Sequence, residues 1–97
     1  MKMRFVWDPA KADLNQRKHG VRFEDAVHVF FDPLHLTVQD RIEGGEHRWQ
    51  TIGQVYGAAV LLVAHTVTEG GPEPVETIRI ISARRATPKE RKLYANG

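Results

Sequence analysis

The chain has 97 residues, a formal net charge of +2 and no cysteine. Its length predicts one domain over residues 1–97 with a single modest core, and the lack of cysteine excludes disulfides and thiolate metal sites. The N-terminus lacks the apolar core of a signal peptide, and the longest apolar run, residues 58–64, is too short to span a membrane. We therefore expect a soluble, cytoplasmic protein without a membrane partner.

The N-terminal part of the chain predicts a short strand followed by a helix. The strand is expected at residues 4–7, and the helix begins after it, because Asp8 is a favourable N-cap and Pro9 fits the first helical position. The helix is expected to reach His19, since Gly20 can adopt the left-handed conformation that ends many helices. Its apolar stripe is narrow, so its stability depends on packing against the rest of the protein.

The middle of the chain predicts a second helix and three strands. The helix is expected over residues 23–31 and ends at Asp32-Pro33, with a buried side formed by Ala26, Val27, Phe30 and Phe31. Alternating or continuous apolar residues then predict strands at residues 36–40, 46–55 and 58–66, joined by glycine-containing turns. In the second of these strands, Glu46 and Arg48 share one face.

The C-terminal part predicts a strand that leads directly into a helix. The β-branched residues of segment 78–83 indicate a strand that pairs with the apolar strand before it. Thr87 is the expected N-cap of the final helix, and Glu90 completes a Thr-x-x-Glu capping box. The predicted fold is α+β, with two N-terminal helices, a sheet of three or four antiparallel strands and a C-terminal helix.

Positive charge is concentrated at the two ends of the chain. Residues 1–22 hold six Lys/Arg and two Asp, residues 79–92 hold six Lys/Arg and one Glu, and residues 23–78 hold two Arg and nine acidic residues. If the two ends meet in the fold, they form one positive face of the kind that binds nucleic acid. The same charges are equally compatible with scattered, solvated helix surface.

The sequence resembles the BrnT family of bacterial toxins over nearly its whole length. The resemblance is carried, in the family's order, by Phe5-x-Trp7-Asp8 with Lys11, Asn15 and Lys18-His19-Gly20-Val21, by Phe23-Glu24-x-Ala26, by Glu46-x-Arg48 with Ile52-Gly53, and by Ile78-Arg79-Ile80-Ile81-Ser82-Ala83-Arg84-x-Ala86 with Glu90-Arg91 and Tyr94. It implies a RelE-like fold and a ribonuclease activity that halts translation. It also implies neutralisation by a cognate BrnA antitoxin with a ribbon-helix-helix DNA-binding part, and a toxin homodimer within that complex.

RNA cleavage without a metal needs a base for the 2′-hydroxyl, cations at the phosphate and a proton for the leaving 5′-oxygen. Arg84 is our first candidate for the cation, and a surface ion pair is its structural alternative. His19 is the first candidate for proton transfer, and an interaction with the helix dipole is weighted equally. In a regular strand Arg79 lies on the face opposite to Arg84, so Arg79 is expected to pair with a carboxylate.

The other candidates also have structural alternatives. Glu46 with Arg48 is either a catalytic base held by its own cation or a cross-strand ion pair. Tyr94 either stacks on a base in the catalytic site or packs against Trp7. His65 is either an RNA contact or a structural histidine. The expected RNA contacts, besides His65, are Lys11, Lys18, Arg79, Arg85 and Lys89.

No cofactor is expected, and we predict no metal site because the histidines lack ligand spacing. The sequence thus predicts a metal-independent endoribonuclease toxin whose partners are RNA and an antitoxin. The alternative is a non-catalytic basic module of the same fold that binds nucleic acid or a protein chain.

Overall fold

A computed structural model describes residues 2–97, which form a five-stranded sheet and short helices. The strands are Lys2–Val6 (β1), Leu36–Glu43 (β2), Glu46–Val55 (β3), Ala59–Glu69 (β4) and Val75–Arg85 (β5). The helices are Pro9–His19 (α1), Phe23–Ala26 (α2), a 3₁₀ helix at Val27–Phe31, and Pro88–Asn96 (α3). None of these helices is long and apolar enough to cross a membrane.

The α+β class is confirmed, but the predicted sheet was wrong in two respects. The strand order is β1-β5-β4-β3-β2, so the sheet has five strands rather than three or four. It is also mixed, because β1 runs parallel to β5 while the other neighbours are antiparallel. Strand β1 packs one row of side chains, Met3 and Phe5, against the core, as an edge strand can. Its partner is far away in the sequence, so no local pattern indicated the pairing.

The predicted ends of α1 and the predicted start of α3 are confirmed. The Asp8 carboxylate accepts a hydrogen bond of 2.8 Å from the backbone N–H of Ala10, and Gly20 has a φ of 71°. At α3, the Thr87 hydroxyl accepts from the backbone N–H of Glu90 at 3.2 Å, and the Glu90 carboxylate accepts from that of Thr87 at 2.9 Å. These contacts are local in sequence, which is why the sequence predicted them.

The second predicted helix has the expected span but changes type after one turn. Only Phe23–Ala26 is α-helical, and Val27–Phe31 continues as a 3₁₀ helix. Phe31, predicted to be buried, has a relative exposure of 62%. With three residues per turn, a 3₁₀ helix places Phe30 in line with Val27 and rotates Phe31 away from the sheet.

The two faces of the sheet differ in composition. One face packs against α1, α2 and the 3₁₀ helix around a cluster that includes Phe23, Val29, Val63, Ile78 and Ile80. We call it the packed face. On the opposite face, a second and smaller cluster of Ile52, Leu62 and Ala86 lies under Tyr94 of α3. The rest of that face is polar and rich in arginine, and we call it the arginine face.

Candidate nucleic-acid interface

Arg79 and Arg84 lie on the same face of the sheet, contrary to the expectation for a regular strand. The pairing of β5 with β4 jumps from His65↔Ile80 to Ala64↔Ser82, so Ile81 is an extra residue in β5. This β-bulge reverses the alternation of side chains beyond it. Arg79 pairs with Thr66 and Arg84 with Leu62, and both of those residues belong to the arginine face.

The bulge therefore collects positive charge on one surface. Arg41 is opposite Arg48 in the β2–β3 ladder, and Arg4 is opposite Thr77 in the β1–β5 ladder, with its guanidinium 3.2 Å from the Thr77 hydroxyl. Between these cations the floor consists of small side chains, because Ala64 pairs with Ser82. The arginines of this face within residues 2–97 are Arg4, Arg41, Arg48, Arg79 and Arg84. Sequence reasoning missed Arg4 and Arg41.

Glu46 and Arg48 share a face as predicted, but they do not pair with each other. The Glu46 carboxylate forms an ion pair with Arg79, which confirms that Arg79 pairs with a carboxylate. Arg48 lies 3.6 Å from Glu43, and its Nε is buried without a hydrogen bond from residues 2–97. A buried guanidinium N–H without a hydrogen-bond acceptor is costly.

Arg84 is held by α3 rather than by an acid of the middle segment. Its guanidinium donates two hydrogen bonds to the Glu90 carboxylate, at 2.8 and 2.9 Å. The hydrogen bonds from Arg84 lower the pKa of Glu90 to about 2, and Glu90 in turn raises the pKa of Arg84. This bidentate pair fixes the first turn of α3 to the end of β5.

Tyr94 does not pack against Trp7, because the two residues lie on opposite sides of the sheet. Trp7 meets Phe23 edge-on in the packed layer, at a ring-centroid distance of 5.9 Å. Tyr94 covers the small cluster of the arginine face, and its hydroxyl donates to Asp32.

The hydrogen bond to Asp32 raises the pKa of Tyr94 to about 12. Burial raises the pKa of Asp32, but hydrogen bonds from Tyr94 and from the backbone N–H groups of Gln54 and Leu34 outweigh it, and the net shift is downward. A hydroxyl held in this way acts as a structural tether for α3.

Helix α1 closes the free edge of β5 beyond the end of β1. The Asn15 side chain donates to the Ala83 carbonyl at 2.9 Å and accepts from the Ala83 N–H at 3.1 Å, as a neighbouring strand would. Ala12 packs into the core of the packed face. Residues in a helix are rotated by about 100° from one to the next, so Lys11 and Lys18 lie on the far side of Asn15 from Ala12. That side borders the arginine face.

The remaining candidates are placed elsewhere. His65 is 1% exposed on the packed face, where it bonds Thr51 and meets Phe30 edge-on, so the RNA-contact interpretation was wrong and the structural one is correct. Arg85 is opposite Leu61 and therefore points to the packed face. His19 and Lys89 are exposed, at the end of α1 and the start of α3.

Within residues 2–97 no group of three or more His, Cys, Asp or Glu side chains is placed to hold a metal ion. The positive charges of the arginine face are those of its arginine side chains. Their guanidinium groups have the planar geometry that suits phosphate oxygens. The bulge that brings them together has no recognisable sequence signal, since Ile80, Ile81 and Ser82 are all ordinary strand residues.

Known proteins resemble this chain in sequence and in fold. The family described as "Ribonuclease toxin, BrnT, of type II toxin-antitoxin system" matches residues 7–90. A crystal structure of the Brucella abortus ribonuclease toxin BrnT is similar to this chain, with a TM-score of 0.61 and 25% sequence identity, covering 89% of this chain and 99% of that one. No curated protein matches the chain. The chain belongs to the BrnT family of ribonuclease toxins of type II toxin–antitoxin systems.

Proposed function

We propose that this protein is a metal-independent endoribonuclease that cuts RNA on its arginine face and thereby inhibits translation. The observation that carries the proposal is the position of Arg79 on the same face as Glu46 and Arg48, to which the bulge at Ile81 adds Arg84. A carboxylate that can take a proton and cations that can stabilise a phosphate are thereby available on one surface.

The proposed binding site for the scissile phosphate lies between Arg48 and Arg79. Both residues are at the same level of the sheet, on either side of β4, and the small side chains of Ala64 and Ser82 lie next to them. The Nε of Arg48 lies 3.6 Å from the Glu43 carboxylate, beyond hydrogen-bond distance, so a phosphate oxygen can replace this weak ion pair at the guanidinium. Lys11, at the border of this face, is a further positive charge for the RNA backbone.

Glu46 is the proposed base. Its carboxylate takes the proton of the 2′-hydroxyl, the 2′-oxygen attacks the neighbouring phosphorus, and the bond to the 5′-oxygen breaks as that oxygen acquires a proton. When the phosphate binds, Arg79 transfers its hydrogen bonds from Glu46 to the phosphate, where negative charge increases in the transition state. His19 precedes Gly20, which lies beside Val55 at the end of β3 opposite to Glu46, so His19 is not proposed to act on this phosphate, and the leaving oxygen takes its proton from solvent.

Arg84 is too far from Glu46 to act on the same phosphate. Arg84 is opposite Leu62 in the β4–β5 ladder, and Leu62 is opposite Ile52 in the β3–β4 ladder. Ile52 is six residues from Glu46 along β3. At about 3.4 Å per residue this separation is roughly 20 Å. We therefore propose that Arg84, together with Lys18 and Lys89, binds phosphates next to the cleaved one, and that Tyr94 supports α3 rather than the chemistry.

Two further proposals follow from membership of a type II toxin family. The antitoxin is proposed to be BrnA-like, with a ribbon-helix-helix DNA-binding part, and to hold a toxin homodimer in the complex. Because mRNA is the proposed substrate, the proposed site of action is the cytoplasm.

Purified protein incubated with a defined single-stranded RNA tests this function. We expect cleavage that EDTA leaves unchanged, and a rate about 10² to 10⁴ times lower for Glu46→Gln, the size typical of losing a general base. Asp13→Asn is the matched control, because Asp13 is an exposed acid that pairs with Arg17 on α1. Circular dichroism of each variant verifies that it is folded.

Loss of cleavage in EDTA would contradict the metal-free mechanism. Cleavage by Glu46→Gln at the rate of the unmodified protein would remove Glu46 from the site. Salt-dependent retention of RNA without any cleaved product, at every protein concentration, would favour the non-catalytic binding module.

A further inference from the structure

A second surface, at the β3–β4 turn, has features of a nucleotide-binding site. A hollow of about 210 Å³ lies there between the end of α1, the turn and the last residue of β5. Gly20, Asp25, Tyr56, Leu61 and Arg85 are among its lining residues. It combines an aromatic ring, a guanidinium and an apolar wall, which are the groups that hold a base and its phosphate in single-stranded nucleic-acid sites.

Tyr56 occupies a backbone position that disfavours tyrosine. The Ala58 N–H donates to the Val55 carbonyl at 3.1 Å, and the two residues between them, Tyr56 and Gly57, have φ values of 55° and 66°. Two positive φ values are typical of a type I′ turn, for which Asn-Gly is the preferred pair. A bulky residue with positive φ is rare and costs conformational energy. The turn therefore has tyrosine where asparagine would be more stable.

The side chain of Tyr56 is fixed, yet most of its surface faces solvent. Its hydroxyl donates to the Asp25 carboxylate at 2.9 Å, and its ring lies 5.0 Å from the ring of His28. The residue is nevertheless 70% exposed. An aromatic ring that is held in place and open on its other side can stack on a base with little loss of conformational entropy.

Arg85 provides the charge beside this ring. Its side chain makes no hydrogen bond or ion pair within residues 2–97, in contrast to Arg84, which is bound to Glu90. The two arginines are consecutive in the chain and point to opposite faces, because Arg84 pairs with Leu62 and Arg85 with Leu61. The end of β5 therefore carries one guanidinium on each face of the sheet, Arg84 on the arginine face and Arg85 at the hollow.

We propose that the hollow binds a nucleotide of the RNA next to the segment on the arginine face, with its base stacked on Tyr56 and its phosphate bound by Arg85. This inference rests on the proposed function, because that function identifies the bound molecule as RNA. It adds a positioning site outside the catalytic face. The strand crosses the end of the sheet from Arg84 to Arg85.

Binding of a fully 2′-O-methylated RNA oligonucleotide tests the site separately from cleavage, since this probe has no 2′-hydroxyl to attack. For Tyr56→Asn we expect a melting temperature equal to or above that of the unmodified protein, and a dissociation constant about tenfold higher, as for loss of one base–aromatic stack. Tyr56→Phe keeps the ring and is expected to bind within about twofold of the unmodified protein, on the same principle. Arg85→Gln is expected to weaken binding and to reduce its salt dependence.

Phe31→Ser is the matched control, because Phe31 is an exposed aromatic residue of similar exposure outside the hollow. An unchanged dissociation constant for Tyr56→Asn would overturn the inference, and so would an equal loss of affinity for Phe31→Ser. If the unmodified protein cleaves RNA and Tyr56→Asn binds normally, the inference alone fails. If no RNA is cleaved but Tyr56→Asn still weakens binding, the proposed catalytic function fails and the hollow remains a binding site.

Discussion

At the scale of single residues, His65 illustrates how burial changes the role of a titratable group. Its Nε2 lies 2.7 Å from the Thr51 hydroxyl, which is 2.9 Å from the Thr37 hydroxyl, and its Nδ1 lies 3.3 Å from the Thr66 carbonyl. The consistent arrangement is a neutral ring that donates from Nδ1 and accepts at Nε2. Burial lowers the pKa of His65 to about 4. A base this weak, with both nitrogens occupied, stabilises the fold and does not move protons for substrate.

This burial predicts that the protein loses stability in mild acid. Between pH 6.5 and about 4 the unfolded chain binds a proton at His65 that the folded protein does not, so the free energy of unfolding falls as the pH falls. The loss across this window is roughly 3 kcal/mol at most. Urea denaturation at several pH values measures it, and His65→Gln is expected to flatten the dependence.

His19→Gln is the control for the histidine prediction, because His19 is exposed at the end of α1. It should leave the pH profile of stability unchanged. A profile for His65→Gln as steep as that of the unmodified protein would show that other groups cause the acid sensitivity.

At the scale of elements, the arginine face depends on how α3 is attached. Two side-chain contacts hold the helix over the sheet: Arg84 with Glu90 at its start, and Asp32 with Tyr94 near its end. On the packed face, the 3₁₀ helix lies directly on β3, where Gly53 faces Val29. The contacts of Asp32 with Tyr94 and of Gly53 with Val29 join segments that are distant in sequence, whereas Arg84 and Glu90 are six residues apart.

Gly53→Ala is expected to destabilise the protein by about 1–3 kcal/mol, the usual cost of overpacking a core. A Cβ at this position would be 2.8 Å from the Val29 Cγ1 and 2.9 Å from the Val29 carbonyl oxygen. The second of these atoms belongs to the backbone, so a side-chain rotation cannot relieve the contact. Chemical denaturation measures the change in free energy of unfolding.

Gln54→Ala is the matched control for the glycine substitution. Gln54 is the next residue of β3, and it is exposed on the other face. It is expected to change stability by less than about 0.5 kcal/mol. Equal stability of Gly53→Ala and the unmodified protein would mean that the 3₁₀ helix can shift away from the sheet without cost.

At the scale of the whole molecule, opposite charges occupy different surfaces. The arginine face carries Arg48 and Arg79 at its centre, whereas the uncovered end of the packed face forms a hollow of about 630 Å³. Trp49 and Val67 line this hollow together with Glu69 and Glu76. An anionic RNA is attracted to the arginine face and repelled by the acidic hollow, which supports binding of RNA on the arginine face.

RNA binding is expected to weaken steeply with salt. Each phosphate contact on a single strand contributes about −0.7 to the slope of log Kobs against log salt concentration, so three or four contacts predict a slope of roughly −2 to −3. Arg48→Gln should make the slope less steep by about 0.7 through loss of one contact. Fluorescence anisotropy at several salt concentrations measures both slopes.

Glu69→Gln, in the acidic hollow, is the control for the salt prediction and should leave the slope unchanged. If Arg48→Gln had the same slope as the unmodified protein, Arg48 would not contact a phosphate. The position of the RNA on the arginine face would then need revision.

The sequence by itself determined what depends on neighbouring residues. Asp8 and Gly20 delimit α1, Thr87 and Glu90 cap α3, and the family motifs identify a ribonuclease toxin. Local hydrogen bonds and turn conformations involve residues only a few positions apart, so their pattern is visible along the chain. The same holds for the shared face of Glu46 and Arg48.

Only the tertiary structure decided how the candidate residues are grouped. The parallel pairing of β1, the bulge at Ile81 and the burial of His65 all depend on contacts between segments far apart in sequence. One extra residue in β5 reverses the side of every later side chain, because strand alternation has a period of two. For that reason a single bulge moved Arg84 to the face of Arg79 and Arg85 to the hollow beside Tyr56.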